Sequence, residues 1–154
     1  MLNGFEYCAS LHIEHPQLDP DVVSHTLKLA PRRTHRVGDA PQTPKGNALP
    51  GVYQTGCWSA DLLTRDGEEL AEFLTRITGD LDPAKEFLRR IVDEGGSIQC
   101  FIGVFANRCC DNLLPAKLLS TLGQLGIDLR LDFYGPENQS QSIHAQRELD
   151  SDGL

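Results

Sequence analysis

Residues 27–39 read Leu-Lys-Leu-Ala-Pro-Arg-Arg-Thr-His-Arg-Val-Gly-Asp, a stretch that holds a helix end, a helix stop and a cluster of cations. Pro31 disfavours helical geometry at the residue before it, so a helix that enters this stretch must end by Ala30. Upstream, Asp19 supplies an N-cap and Pro20 a first-turn proline, which together fix the start of that helix. The sequence therefore predicts one short helix between a first strand and a basic segment.

Hydrophobic periodicity predicts further strands and helices outward from this stretch. The strands fall at residues 5–13, 52–59, 97–105 and 127–134, and the helices in two pieces across 67–94 and at 115–126. Strand 97–105 is apolar on much of both faces and should be central. The pattern predicts a single α+β domain with a mainly antiparallel or mixed sheet of four to five strands and helices chiefly on one face. A ferredoxin-like arrangement is one candidate.

The length of 154 residues and the mass of 17.0 kDa suit one domain with its own core, which we place at residues 1–135. Within it, we expect the proline-rich residues 38–51 to form a mobile loop, because prolines and small polar residues interrupt regular structure. Residues 136–154 contain few large apolar side chains, and we expect a polar, flexible tail. The alternative is a short helix over residues 143–149 that docks on a partner chain.

The charge balance excludes some classes of partner. The chain has 22 acidic and 14 basic residues, a net charge of -8, which disfavours non-specific attraction to nucleic acid or to an anionic membrane. Residues 1–50 are neutral overall, so the acidic excess lies in the rest. We expect no nucleic-acid partner and no membrane partner.

The number and spacing of the cysteines and the sequence of the N-terminus indicate the cellular compartment of the protein. The five cysteines are odd in number and lack CxxC spacing, which favours free thiols in a reducing environment. No basic segment followed by an apolar run opens the chain, and no apolar stretch approaches membrane-spanning length. We therefore expect a cytoplasmic protein.

Several weak motifs follow one another in an order that resembles a known family. They are Leu18-Asp19-Pro20, Leu27-x-Leu29-x-Pro31-x-x-Thr34-x-x-x-Gly38-Asp39, Trp58, the break at Leu81-Asp82-Pro83, and Leu-Gly-Ile-Asp-Leu-x-Leu-Asp-x-Tyr from Leu125. Over residues 5–134 the chain resembles DUF4279, a family of uncharacterised bacterial proteins. It departs from that pattern in the proline-rich insert before Trp58 and in the polar C-terminal extension. The resemblance implies no activity, since the family has none assigned.

The dense cationic cluster is the strongest candidate for a binding site. The candidate ligand-binding residues are Arg32, Arg33, His35, Arg36, Asp39 and Trp58. Clustered guanidinium groups can clamp a carboxylate or phosphate through paired hydrogen bonds. The interpretation that we favour is structural: cations after a helix C-terminus stabilise its dipole, Asp39 pairs with an arginine, and Trp58 points into the core.

The remaining polar groups give weaker signals. His12 and Glu14 share a strand face with a spacing compatible with metal ligands, and His15 and Asp19 follow, but a third ligand is not identifiable. Because no recognisable ligand set is present, we predict no metal site.

Other candidates for chemistry are equally incomplete. Cys109 and Cys110 are adjacent and lack the CxxC geometry that lowers a thiol pKa. Asp128, Arg130 and Asp132 share one face of the last strand without evidence of shelter. No nucleophile elbow, zinc-protease motif or glycine-rich phosphate loop is present. We therefore predict no catalytic residue and no cofactor.

Three hypotheses about function remain open. The first, which we favour, is an interaction or regulatory module without catalytic activity, acting through an edge strand and the basic loop on an unknown protein partner. The second is a binder or enzyme for a small anionic ligand that uses the Arg32–Arg36 cluster. The third is a structural homo-oligomer, such as a homodimer, that associates through its tail or an edge strand.

Overall fold

The computed structural model describes residues 5–135 of the chain, so the expectation for residues 136–154 lies outside the described residues. The strands are β1 (Phe5–His15), β2 (Arg33–His35), β3 (Gly56–Leu62), β4 (Ser97–Ala106) and β5 (Asp128–Tyr134). The helices are α1 (Pro20–Leu27), α2 (Leu70–Leu81), α3 (Lys85–Asp93) and α4 (Ala116–Leu125), and the 3-10 turn Asp82–Ala84 joins α2 to α3. The predicted single α+β domain is confirmed.

The five strands form one sheet in the order β2-β3-β1-β4-β5. The pairs β2/β3, β3/β1 and β1/β4 are antiparallel, and β4/β5 is parallel. The first four strands, with the helices between them, follow the βαββαβ order of the ferredoxin-like fold. Helix α4 and strand β5 add a crossover unit to the edge of that arrangement, so the sheet is mixed.

The helices within residues 5–135 pack on one side of the sheet. Side chains alternate between the two faces of each strand, and the inward rows of β1, β3 and β4 are largely buried against the helices, whereas Leu131 and Phe133 of β5 stay exposed. The central inward residues are fully or almost fully buried: Leu11, Ile13, Trp58, Ala60, Ile98, Ile102, Val104, Phe73, Leu74 and Leu88. They belong to one hydrophobic cluster.

Helix α1 is capped as the sequence predicts. The side chain of Asp19 accepts a hydrogen bond from the Asp21 N–H, and Pro20 occupies the first turn. The helix ends at Leu27, where Lys28 adopts a left-handed conformation with φ of 56°. The predicted end before Pro31 is therefore confirmed.

The region between α1 and β3 differs from the prediction. The strand predicted for residues 52–59 begins only at Gly56, because Tyr53 instead exchanges backbone hydrogen bonds with Gly38 and Asp39 in the preceding loop. Strand β2 was not predicted, since three residues are too few for a periodic signal. Inside the proline-rich loop, Gln42 and Ala48 form an isolated bridge.

The longest helix of the described residues, α2, has 12 residues, well short of a bilayer's thickness. No helix within residues 5–135 combines the length and the apolar character needed to cross a membrane.

Candidate functional site

The open face is the side of the sheet that the helices of residues 5–135 leave uncovered. It carries the even-numbered residues of β1 and β5 and the odd-numbered residues of β3 and β4, which the strand register aligns in rows. Ser10, Ser59 and Gly103 lie on this face and are nevertheless buried. The longer side chains around these small residues therefore make the face concave.

A depression of about 680 Å³ occupies the centre of the open face. Its main polar and aromatic lining residues are Ser10, His12, Arg32, Asp61, Phe101 and Arg130. They come from four strands, β1, β3, β4 and β5, and from the residue that precedes β2. The depression therefore forms only when distant parts of the chain pair in the sheet.

A column of contacts crosses the depression from β1 to β5. Ser10 Oγ lies 3.0 Å from His12 Nε2, and the His12 ring meets the Phe101 ring edge-on at 6.2 Å between centroids. The Arg130 guanidinium lies over the Phe101 ring, 5.9 Å from its centroid. Each of these side chains thus limits the motion of the next one, so the groups at the centre of the open face are held in a fixed arrangement.

Arg32 approaches the depression from the opposite side. Its backbone N–H donates to the Ser59 carbonyl at 2.7 Å, which holds the residue beside β3. Its guanidinium pairs with Asp61 at 2.9 Å, and both side chains are 57% exposed. An exposed ion pair of this kind contributes little to stability and can exchange partners. Arg32 and Arg130 thus flank the Ser10–His12 pair.

His12 is held in its neutral form more strongly than an ordinary histidine. Burial of the ring lowers the pKa of His12 below 6.5, and the positive charge of Arg32 lowers it further. Glu14 acts in the opposite direction but does not cancel these effects. At neutral pH the pair is therefore a hydroxyl and a neutral imidazole.

The lowered pKa of His12 predicts a loss of stability in mild acid. Because the unfolded chain binds the proton more readily, stability is complete above about pH 6.5 and falls as the pH drops towards the folded pKa. We expect the unfolding free energy, measured in urea, to decrease between about pH 7.5 and about pH 5.5. The decrease should be smaller in His12→Gln. Part of it should remain in that variant, because burial also lowers the pKa of His35.

The matched control for this prediction is the interval from about pH 7.5 to about pH 8.5, where His12 is neutral in both folded and unfolded chains. Wild type and His12→Gln should change in parallel there. An equal loss of stability in both proteins below neutral pH would contradict the assignment.

A partly buried ion pair supports the wall of the depression after β3. Arg76 of α2 forms a two-point contact with Glu68, at 2.9 and 2.7 Å, and donates a further hydrogen bond to the Leu63 carbonyl at 2.9 Å. The hydrogen bonds from Arg76 lower the pKa of Glu68. Leu63 and Thr64 line the depression, so α2 anchors this wall from behind the sheet.

The structure separates the residues predicted as one binding cluster. Arg32 faces the central depression, whereas the guanidinium of Arg36 lies 3.0 Å from Asp19 and 2.9 Å from Asp21 at the start of α1. Trp58 is fully buried, and its Nε1–H donates to Ser24 Oγ at 2.9 Å. The arginines were expected to contact the C-terminus of α1. Arg36 instead pairs with carboxylates at the start of that helix, because strand β2 runs alongside β3 and places Arg36 there.

Arg33, His35 and Asp39 come together at a second depression, of about 690 Å³, between β2 and the proline-rich loop. The His35 ring stacks on Tyr53 with centroids 3.5 Å apart. Asp39 accepts a hydrogen bond from the backbone N–H of Arg36 and so closes a turn. His35 Nδ1 is buried and has no hydrogen-bond partner among the described residues.

The weaker candidates for metal binding and thiol chemistry are dispersed. His12 and Glu14 point to the open face, whereas His15 contacts Glu94 at 2.8 Å and Asp19 caps α1. Among residues 5–135, no group of three or more potential ligands is placed to hold a metal ion. All five cysteines are free thiols, and burial raises the pKa of Cys100 to about 12.

The central depression combines two kinds of chemical group, a hydroxyl beside an imidazole and an aromatic ring beside a guanidinium. A serine beside a neutral histidine is the start of a nucleophilic site, but acyl transfer also needs donors aimed at a developing oxyanion. Strands β1 and β4 are paired on both sides along most of their length, which engages most of their backbone N–H groups, whereas β2 pairs with only three residues of β3. Aromatic rings and arginines, by contrast, are suited to contact with a partner.

Ser10, Phe101 and Gly103 are functional candidates that the sequence did not reveal. Strand alternation placed Ser10 and His12 on one face, yet nothing in the sequence shows which residues of other strands lie beside them. Asp128, Arg130 and Asp132 share one face as predicted, and that is the open face.

The fold and the site define an α+β domain of ferredoxin-like order, extended by a fifth strand and bearing one uncovered, concave sheet face. The chain belongs to the family DUF4279, a domain of unknown function, whose sequence profile matches residues 5–136. The predicted family is thereby confirmed. No curated protein and no solved structure matches the chain.

Proposed function

We propose that the chain is an interaction module without catalytic activity, which binds a partner protein through the open face of its sheet. The observation that carries the proposal is the centre of that face, where Phe101 lies between His12 and Arg130 with no helix of residues 5–135 above it. The five free thiols fit the expected reducing, cytoplasmic setting.

Aromatic and arginine side chains provide the anchors of this surface. Phe105 stacks on Tyr134 with centroids 5.0 Å apart, two rows away from Phe101 along the sheet. Such residues dominate binding energy at protein interfaces because they bury large areas and lose little side-chain entropy. The stacked rings and the Arg130–Phe101 contact hold these groups in place before a partner arrives.

The charges on the open face indicate the character of the partner. Arg32 and Arg130 lie among carboxylates that include Glu14, Asp61 and Asp132, so the surface carries charges of both signs. A mixed surface selects a partner with complementary charges of both signs rather than a polyanion. The matching partner carries apolar side chains above the aromatic rings and carboxylates near the two arginines.

Site-specific photo-crosslinking tests the proposal. A benzophenone amino acid at position 101, in the organism that produces the protein, should yield a discrete crosslinked species. The same group at the exposed position Lys85 on α3 is the matched control and should not. Identical products from both positions, or none from position 101, would contradict binding through the open face.

The captured partner provides a quantitative prediction. Phe101→Ala should weaken binding at least tenfold, about 1.4 kcal/mol or more, in calorimetry, because truncation removes the ring that Arg130 and His12 contact. Lys85→Ala should change the affinity less than about twofold. Equal affinities of the two variants would exclude the aromatic centre as the anchor.

A small anionic ligand is the second candidate, favoured by the position of Arg32 and Arg130 on either side of the Ser10–His12 pair. It ranks lower because an anion has to compete with Asp61 for Arg32. Thermal-shift measurements with phosphate and with citrate discriminate the two functions. A rise in melting temperature that Arg32→Gln abolishes would support the anionic ligand.

A further inference from the structure

Strand β5 is an edge of the sheet with unusual self-complementarity. It pairs with β4 on one side, and no other strand of residues 5–135 pairs with its second side. The seven residues Asp128–Tyr134 contain no proline and no lysine, and their charged side chains, Asp128, Arg130 and Asp132, all lie on one face with both signs represented. The opposite edge, β2, has only three residues.

We propose that β5 pairs with β5 of a second copy of this chain, antiparallel and centred on Leu131, which joins the two sheets into one. In that register Leu131 of one copy lies opposite Leu131 of the other, and Arg130 of each copy lies opposite Asp132 of the other. A two-fold axis normal to the sheet produces every contact twice. The interface is therefore an isologous one between identical strands.

Charge selects this register over its neighbours. Arg130 and Asp132 point to the same face of β5, and within one chain they lie 3.6 Å apart at exposures of 61% and 36%. Centring the pair on Leu131 forms two cross-strand ion pairs. Centring it on Arg130 or on Asp132 places identical charges directly opposite each other, which destabilises a strand pair.

The apolar row of β5 supports the same arrangement. Leu131 is 37% exposed and Phe133 is 69% exposed, although both point to the helix side of the sheet. In the proposed register Phe133 of each copy lies opposite Leu129 of the other. Aromatic and aliphatic side chains opposite each other stabilise antiparallel strands, and here they cover surface that the single copy leaves in water.

Pairing through β5 does not depend on the function proposed for the open face. The two-fold axis places both open faces on the same side of a continuous ten-stranded sheet, with five strands from each copy. Each copy's Phe101 is one strand removed from the junction and stays accessible. Failure of the crosslinking experiment at position 101 would therefore leave the pairing through β5 intact. Failure of that pairing would likewise leave the function proposed for the open face intact.

The mass of the full-length protein in solution tests the inference. Light scattering or sedimentation between about 1 and about 300 µM should show the mass rise from 17.0 kDa towards twice that value. A strand-edge interface is small, so we expect an equilibrium rather than a permanent dimer. A monomer at every concentration would overturn the inference.

Charge exchange tests the register itself. Arg130→Asp and Asp132→Arg should each raise the dissociation constant at least tenfold, because each places like charges opposite each other. An equimolar mixture of the two variants, and the double variant R130D/D132R, should restore association. Lys85→Asp on α3 is the matched control and should not alter it. The pairing through β5 would be overturned if the single substitutions leave association unaffected, or if the mixture does not restore it. Circular dichroism verifies that each variant is folded.

Discussion

Replacing Trp58 by alanine is expected to lower the free energy of unfolding by about 3–5 kcal/mol. The side chain is fully buried between the sheet and α1, and its removal leaves a cavity and breaks the hydrogen bond from Nε1–H to Ser24 Oγ. A loss of this size is a large fraction of the roughly 5–15 kcal/mol that stabilises a typical domain. Urea unfolding followed by far-ultraviolet circular dichroism measures it without relying on tryptophan fluorescence.

Two milder substitutions separate packing from hydrogen bonding at this position. Trp58→Phe retains most of the ring volume and should cost clearly less than the alanine variant. Ser24→Ala leaves the indole N–H buried without its partner and should cost about 1–3 kcal/mol. A change of less than about 1 kcal/mol in Trp58→Ala would contradict the placement of Trp58 at the centre of the core.

Gly96→Ala is expected to destabilise the protein by about 2–3 kcal/mol. A Cβ atom at position 96 would lie 2.6 Å from the Glu14 carbonyl oxygen and 2.8 Å from both the carbonyl oxygen and Cγ2 of Ile91. Two of these atoms belong to backbone that is fixed by β1 and by the end of α3. The Gly96 N–H also donates to the Ile91 carbonyl at 2.8 Å, so the chain cannot move away without losing that bond.

Gly79→Ala is the matched control for Gly96→Ala. Gly79 lies within α2, and a Cβ atom there would meet nothing within 4 Å. Alanine should therefore stabilise the helix by about 0.5–1 kcal/mol through reduced backbone entropy. Opposite signs for the two substitutions in thermal and urea unfolding are the expected result. Destabilisation of similar size at both positions would argue against the close approach of Gly96 to β1.

Much of the fold follows from local signals in the sequence. The Asp19-Pro20 start, the break at Asp82-Pro83 and the glycine after α4 mark helix boundaries by backbone chemistry that acts within a few residues. The strands β1, β4 and β5 were equally visible because alternation persists over seven or more residues. Strand β2 and the start of β3 were not, since they depend on pairing with each other and on hydrogen bonds from the loop between them.

The candidate site was far less predictable. Arg32 and Arg36 are four residues apart in the chain, yet one reaches Asp61 on the open face and the other reaches the start of α1. Their division results from the path of β2 along β3, which no local pattern encodes. The neighbourhood of Ser10, Phe101 and Arg130 likewise arises from the order of strands in the sheet, and sequence spacing alone contains no information about it.

The central position of β1 has a consequence for how the protein is made. The strand at the beginning of the chain pairs with β3 and β4, and its first residue, Phe5, lies opposite Ala106. Contacts of such long sequence separation slow folding, because the chain loses loop entropy before they form. During synthesis β1 therefore emerges from the ribosome long before its second neighbour exists. Until β4 has been synthesised, one edge of this largely apolar strand has no partner strand, even after β3 has emerged.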